Sequence, residues 1–203
     1  MNLNDALQEI RTFWAEPAFP FRGGGRQRLA VIETEFERTF PLELRDYIAT
    51  IISPGPFSFT AVGNPIDVYG YDDLLKRLEG YNYNPLTREE LEEWSPEWFL
   101  IGDEGADPII VELGGTGVSS PVLQAMHGEG DWNFEIIASS LGQFILLTAA
   151  RHHALHMLPF DQLIIDNENG FNLAGSAAEW LFPRVKRWAP EFYDSWVGAF
   201  DNA

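Results

Sequence analysis

The sequence predicts an α+β domain: a central antiparallel or mixed sheet flanked by N-terminal and C-terminal helices. Apolar residues at helical spacing come first, several short strand-like runs separated by turn signals fill the middle, and helical periodicity returns toward the C-terminus. Strict alternation of strand and helix is missing, which argues against a doubly wound parallel sheet.

In residues 3–16, Leu3, Leu7, Ile10 and Trp14 share one helical stripe behind a candidate cap, Asn2 or Asn4. Pro17 and Pro20 end it, and FRGGGR (21–26) reads as a hinge; no strand precedes the glycines and no Lys-Ser/Thr follows, so they are not a phosphate loop. Residues 28–39 form a second amphipathic helix through Leu29, Ile32 and Phe36, and 42–52 a third, stopped by SPGP at 53–56. FSFTAV (57–62) and residues 66–69 read as strands, and 71–78 as a short helix capped by Asp72 or Asp73. The polar insertion 79–98 contains Thr87-Arg88-Glu89-Glu90, the pattern of a capping box at a helix start. Strands follow at 98–102, 108–113, 121–126 and 134–137. Ser139 or Ser140 opens a long helix, LGQFILLTAARHHALHML; beyond Pro159 come an apolar run, a turn at DNENG (166–170) and helical pieces around Trp180 and Trp196.

With 45% hydrophobic residues and seven Trp, the 203-residue chain has enough apolar side chain for a sizeable core. It has no cysteine, which excludes disulfides, zinc-thiolate sites and cysteine nucleophiles. No apolar run is long enough to span a bilayer and no secretory leader pattern opens the chain, so a soluble cytoplasmic protein is expected. The formal net charge is −18, and residues 72–137 hold 15 acids against 3 bases, so −12 of it lies there. Such a field repels nucleic acid and anionic membrane and attracts cationic partners.

Two glycine-bounded loops concentrate the acids. In WFLIGDEGADPIIVEL (98–113), Asp103, Glu104 and Asp107 sit between two strands, where Gly102 and Gly105 suit unusual φ and aspartates accept turn amides. The same carboxylates, left exposed, would face a basic partner. In HGEGDW (127–132), Glu129, Asp131 and Trp132 place an aromatic among acids, either an interface anchor or a side chain folded back into the core. Glu89, Glu90, Glu92, Glu93 and Glu97 read as a solvated helix face. No calcium-loop repeat appears, nor a serine nucleophile elbow. His152 and His156, four apart, share a helix face as zinc ligands do, although no Glu follows the first His as the metalloprotease pattern needs.

The run VIETEFERTFPLELRDYIATI resembles the opening of the SUKH superfamily, through Ile32, Glu33, Phe36, Glu37, Pro41, Leu42, Arg45, Asp46 and Tyr47. Ile101, Gly102, Asp103, Gly105, Asp107 and Pro108 resemble that family's central Ile-Gly-Asp-x-Gly turn, and Pro121-Val122, His127, Ser140-Leu141 and Phe144 its later landmarks. The resemblance covers roughly 28–150; the acidic insertion at 79–97 and everything after 158 depart from it. It implies three regions: an N-terminal helix and hinge (1–26), a SUKH-like α+β domain (27–158) and a C-terminal helical extension packed on it (159–203). The family includes bacterial immunity proteins that bind and block a toxin, often a nuclease or deaminase, and regulators of fungal cell-wall signalling.

The expectation is therefore a non-enzymatic immunity protein without cofactor or metal. Its partner would be a cognate protein toxin, with no direct nucleic acid and no membrane, contacted through Asp103, Glu104, Asp107, Glu129, Asp131 and Trp132. The alternatives are a metal-dependent hydrolase using His152, His156 and loop carboxylates, or an intracellular scaffold.

Overall fold

A computed structural model of the chain describes residues 1–16, 18–75, 79–84, 86–114, 118–128, 131–168 and 170–203, except 91–93. The class is α+β, with helices flanking an antiparallel sheet. Helix α1 (Leu3–Phe13) is capped by the Asn2 side chain, which accepts from the Asp5 N–H at 2.9 Å. Helix α2 (Arg26–Glu35) ends where Glu37 adopts a φ of 50°. Helix α3 (Leu42–Asp46) passes directly into a π turn at Tyr47–Ile51.

The triple glycine is not the open hinge expected. The Gly23 N–H donates to the Ile51 carbonyl at 3.0 Å, and a Cβ on Gly25 would lie 2.0 Å from the Ile48 carbonyl oxygen. Glycine is needed there because two backbones touch, so the segment is clamped to the π turn.

The sheet has the order β1-β2-β5-β6-β7-β8 and is antiparallel throughout. Its strands are β1 (Phe57–Phe59), β2 (Ile66–Val68), β5 (Trp98–Glu104), β6 (Asp107–Glu112), β7 (Val122–Gln124) and β8 (Glu135–Ala138). Four consecutive buried residues in each of β5 and β6 show that both sheet faces are covered at the centre, because alternate side chains point to opposite faces. A bulge between Leu100 and Gly102 bends β5.

Two helix expectations fail within the acidic segment. Residues 71–75 form turns; 76–78 lie outside the described residues. The pattern at 87–90 does not start a helix, because β3 (Tyr83–Asn84) pairs with β4 (Glu89–Glu90) as a two-stranded ribbon. The Asn84 side chain accepts from the Leu86 N–H at 2.9 Å and the Thr87 N–H at 3.3 Å, and Arg88 has a φ of 62°. This local side-chain turn outcompetes the cap.

Helix α4 (Leu141–Ala154) starts at the expected cap, with the Ser140 hydroxyl accepting from the Gln143 N–H at 3.0 Å. Thirteen of its residues are buried, because α1, α6 (Gly175–Trp188) and the sheet all pack on it. After α4 come α5 (Phe160–Leu163), the hairpin β9 (Ile164–Asn167) to β10 (Gly170–Leu173), α6, and α7 (Tyr193–Val197). One continuous apolar cluster runs from Leu3 to Phe200, so both terminal regions contribute to the core. None of the described helices is long and apolar enough to cross a membrane.

Candidate functional site

Strand register places three connections at one end of the sheet. Ile66 pairs with Glu104, so the β1–β2 turn lies beside the β5–β6 tip; Ile109 pairs with Gln124 and Gln124 with Glu135, which brings the β7–β8 loop to the same end. The two glycine-flanked loops singled out in the sequence are therefore neighbours. Contact is direct, since the Asp107 carboxylate accepts from the His127 N–H at 2.8 Å and its Oδ1 lies 2.6 Å from His127 Nδ1.

The tip carboxylates are largely engaged inside the chain. Asp103 accepts from the Tyr69 hydroxyl at 2.5 Å and from the Ala106 N–H at 3.3 Å. Its strand partner Asp67 accepts from the Ser58 hydroxyl. Glu104 accepts from Gln124 Nε2 at 3.2 Å and lies 3.9 Å from the Arg151 guanidinium. Burial lowers the Arg151 pKa, and Glu104 opposes the shift. A cation on a buried helix needs such a counter-charge. Left-handed backbone falls at Gly105 and Ala106 (φ 62° and 83°), not at Gly102. Gly102 instead permits close approach, because a Cβ there would meet the Asp67 carbonyl oxygen at 2.3 Å.

Of the expected contact residues, Asp103, Glu104 and Asp107 are half-buried, Asp131 is exposed, and Glu129 lies outside the described residues. Trp132 is half-buried with its ring among Tyr81, Trp94 and Phe134, at centroid distances of 6.0, 5.8 and 6.3 Å. It belongs to an aromatic cluster and does not stand alone among acids. Among the described residues the open acids beside it at this end of the sheet are Asp131 and Glu135, the latter next in sequence to the exposed Ile136 and both near the exposed Met126 of the same loop.

The histidines of α4 meet a residue that sequence spacing did not suggest. Glu16, His152 and His156 bring one ligand atom each within 4.8 Å of one another. Their hydrogen bonds define a proton arrangement. The Thr60 N–H donates to His152 Nδ1 at 2.8 Å, so the neutral ring carries its proton on Nε2, which faces Glu16 Oε1 at 2.5 Å. A flipped ring would turn a C–H toward the Thr60 amide. His156 Nδ1 donates to the His152 carbonyl at 2.8 Å. A metal on His152 Nε2 would have to displace that proton to Nδ1, against a backbone N–H that cannot turn away. The ring is therefore arranged to donate to Glu16, not to ligate. It stacks on Trp14 at 5.3 Å, and burial lowers its pKa while the Glu16 hydrogen bond opposes the shift. His153, on the adjoining face, lies 4.6 Å from the Trp180 ring, and burial lowers its pKa as well.

Sequence reasoning also missed a cleft of about 450 Å³ between the end of α2 and the start of β5. Phe36, Trp94 and Trp98 contribute rings to its wall, and Glu35, Glu37 and Asn82 contribute polar groups. Glu97, read earlier with the solvated acids, pairs here with Arg38 at 2.7 Å; Glu92 and Glu93 lie outside the described residues. Phe36 and Trp98 are 62 positions apart in the sequence, and no motif links them.

No family model matches the chain, and no curated protein matches it.

Proposed function

We propose that this chain is a non-enzymatic, SUKH-like immunity protein of the cytoplasm, which captures a cationic protein toxin through the acidic end of its sheet. The observation that supports it most is charge placement: residues 72–137 hold −12 of the −18, and two of their loops sit side by side at one sheet end. Enzymes that handle nucleic acid present Lys/Arg surfaces for phosphate, and a dense negative face on an inhibitor is complementary to them. Complementarity of this kind accelerates capture, to about 10⁸–10⁹ M⁻¹s⁻¹ at low salt.

The internal bonds of Asp103, Glu104 and Asp107 make them the frame of this face, and they leave Asp131 and Glu135 as its free charges among the described residues. The test is rescue. A toxic basic protein encoded beside this chain is expressed with it, and growth is scored. The parent chain should protect, and Asp131→Lys/Glu135→Lys should lose protection with little change in thermal midpoint. Protection by the double variant equal to the parent would discard this face, and failure of the parent to bind or protect would discard the immunity reading.

A further inference from the structure

We infer that the aromatic cleft between α2 and β5 is the seat for a lysine or arginine side chain of the protein partner. The inference rests on the reading of a cationic partner and deepens it by naming the anchor. Three observations converge on a cation. The first is the wall: Trp94 and Trp98 stand edge to face at 5.5 Å, and Phe36 lines the cleft with them. Indole and phenyl faces attract ammonium and guanidinium groups through the ring quadrupole, most strongly when the site is partly desolvated. The second is charge. Glu35 and Glu37 are exposed at the rim and carry no ion pair among the described residues, while the cleft's own cation, Arg38, is neutralised by Glu97 at 2.7 Å. The third is an orphaned acceptor: the Asn82 side-chain oxygen in the wall is buried and has no hydrogen-bond donor among the described residues. Its partial negative charge adds to the field inside the cleft.

The competing grooves fit a cation less well. The larger one, about 890 Å³ beside α1 and α3, holds the carboxylates of Asp5, Glu43 and Asp46 but has no aromatic ring in its lining, so it offers charge without a cation–π face. A volume of about 450 Å³ admits one long side chain and excludes a folded element. An anchor of this kind, an aromatic pocket receiving Arg or Lys amid complementary charge, is the form that dominant interface contacts take.

The experiment titrates a labelled hexa-arginine peptide into the full-length chain, with a hexa-glutamate peptide as control. Anisotropy reads affinity, and the indole N–H signals of Trp94 and Trp98 read location. Hexa-arginine should bind and move both indole signals, and hexa-glutamate should do neither. Glu35→Gln/Glu37→Gln, confined to exposed positions, should weaken binding several-fold without altering the rest of the spectrum. Trp98→Leu should weaken it roughly 3- to 30-fold, the range expected for a cation–π contact. Binding that leaves both indoles in place, or that ignores the Glu35/Glu37 change, would overturn the cleft and leave the acidic-surface reading standing. Absence of hexa-arginine binding would overturn the cleft as well, and the rescue experiment would then judge the immunity reading by itself.

Discussion

Lowering the pH from 7.5 to 5 tests the proton arrangement at His152. The Thr60 N–H holds Nδ1 as an acceptor, so a second proton on the ring would set N–H against N–H inside a packed aromatic shelf. Burial lowers the folded-state pKa below the ordinary value of 6.5, although the Glu16 hydrogen bond opposes the shift. Between the two values the unfolded chain binds the proton and the folded chain does not, so stability falls as acid is added. The fall begins near pH 6.5 and ends where the folded ring is finally protonated. If the ring stays neutral throughout, the loss at pH 5 reaches a ceiling of about 2 kcal/mol. Urea unfolding of the parent and of His152→Gln at both pH values isolates this term. Glutamine retains a donor and an acceptor but does not titrate here, while the remaining carboxylates and His153 are common to both proteins. The stability advantage of the parent should shrink by up to about 2 kcal/mol between pH 7.5 and 5. An advantage that stays constant would mean that His152 titrates in the fold as it does in the unfolded chain, and the reasoning that burial holds the ring neutral would be refuted.

Other outcomes follow from single contacts. Glu43, buried at 8% exposure, accepts from the Ser120 N–H at 2.5 Å and the Gly142 N–H at 3.2 Å. Glu43→Ala leaves two buried amides without an acceptor and should remove roughly 3–5 kcal/mol of stability in the same urea assay. Gly25→Ala drives a methyl into the Ile48 carbonyl and should lower stability by about 2 kcal/mol or more, whereas Gly55→Ala, with open space around it, should stay within about 0.5 kcal/mol of the parent. Calorimetric titration with zinc at pH 7.5 should show no stoichiometric site at Glu16, His152 and His156; a one-to-one isotherm abolished by His156→Ala would restore the hydrolase alternative.

What the sequence disclosed was local. One of the two candidate caps offered at each of α1 and α4 (Asn2 and Ser140), the strands of the main sheet and the turn between β5 and β6 are written in residues that touch their chain neighbours. They appear close to where expected, although Gly102 does not take the positive φ expected of it. The insertion misled because Thr87-Arg88-Glu89-Glu90 matches a cap pattern, while the deciding group, the Asn84 side chain, lies outside that pattern. The candidate site was harder still. Side-by-side placement of the two acidic loops follows from strand order, which turn positions alone do not fix. Which carboxylates are free depends on Tyr69, Gln124, Arg151 and His127, between 20 and 47 positions away. The Glu16–His152 contact spans 136 positions, and no periodicity could have announced it.

The burial of α4 has a consequence for synthesis. This helix is buried on nearly every side, and the last element that packs on it, α7, whose Trp196 meets Phe144, ends at Val197, 43 positions after Ala154. At about 5–20 residues per second, a nascent chain carries that sticky cylinder unfinished for seconds, exposed to chaperones and to its neighbours on the polysome. Trimming the chain after 158 would therefore remove the helix's wrapping along with an appendage, and the product would be insoluble before any question of binding arose.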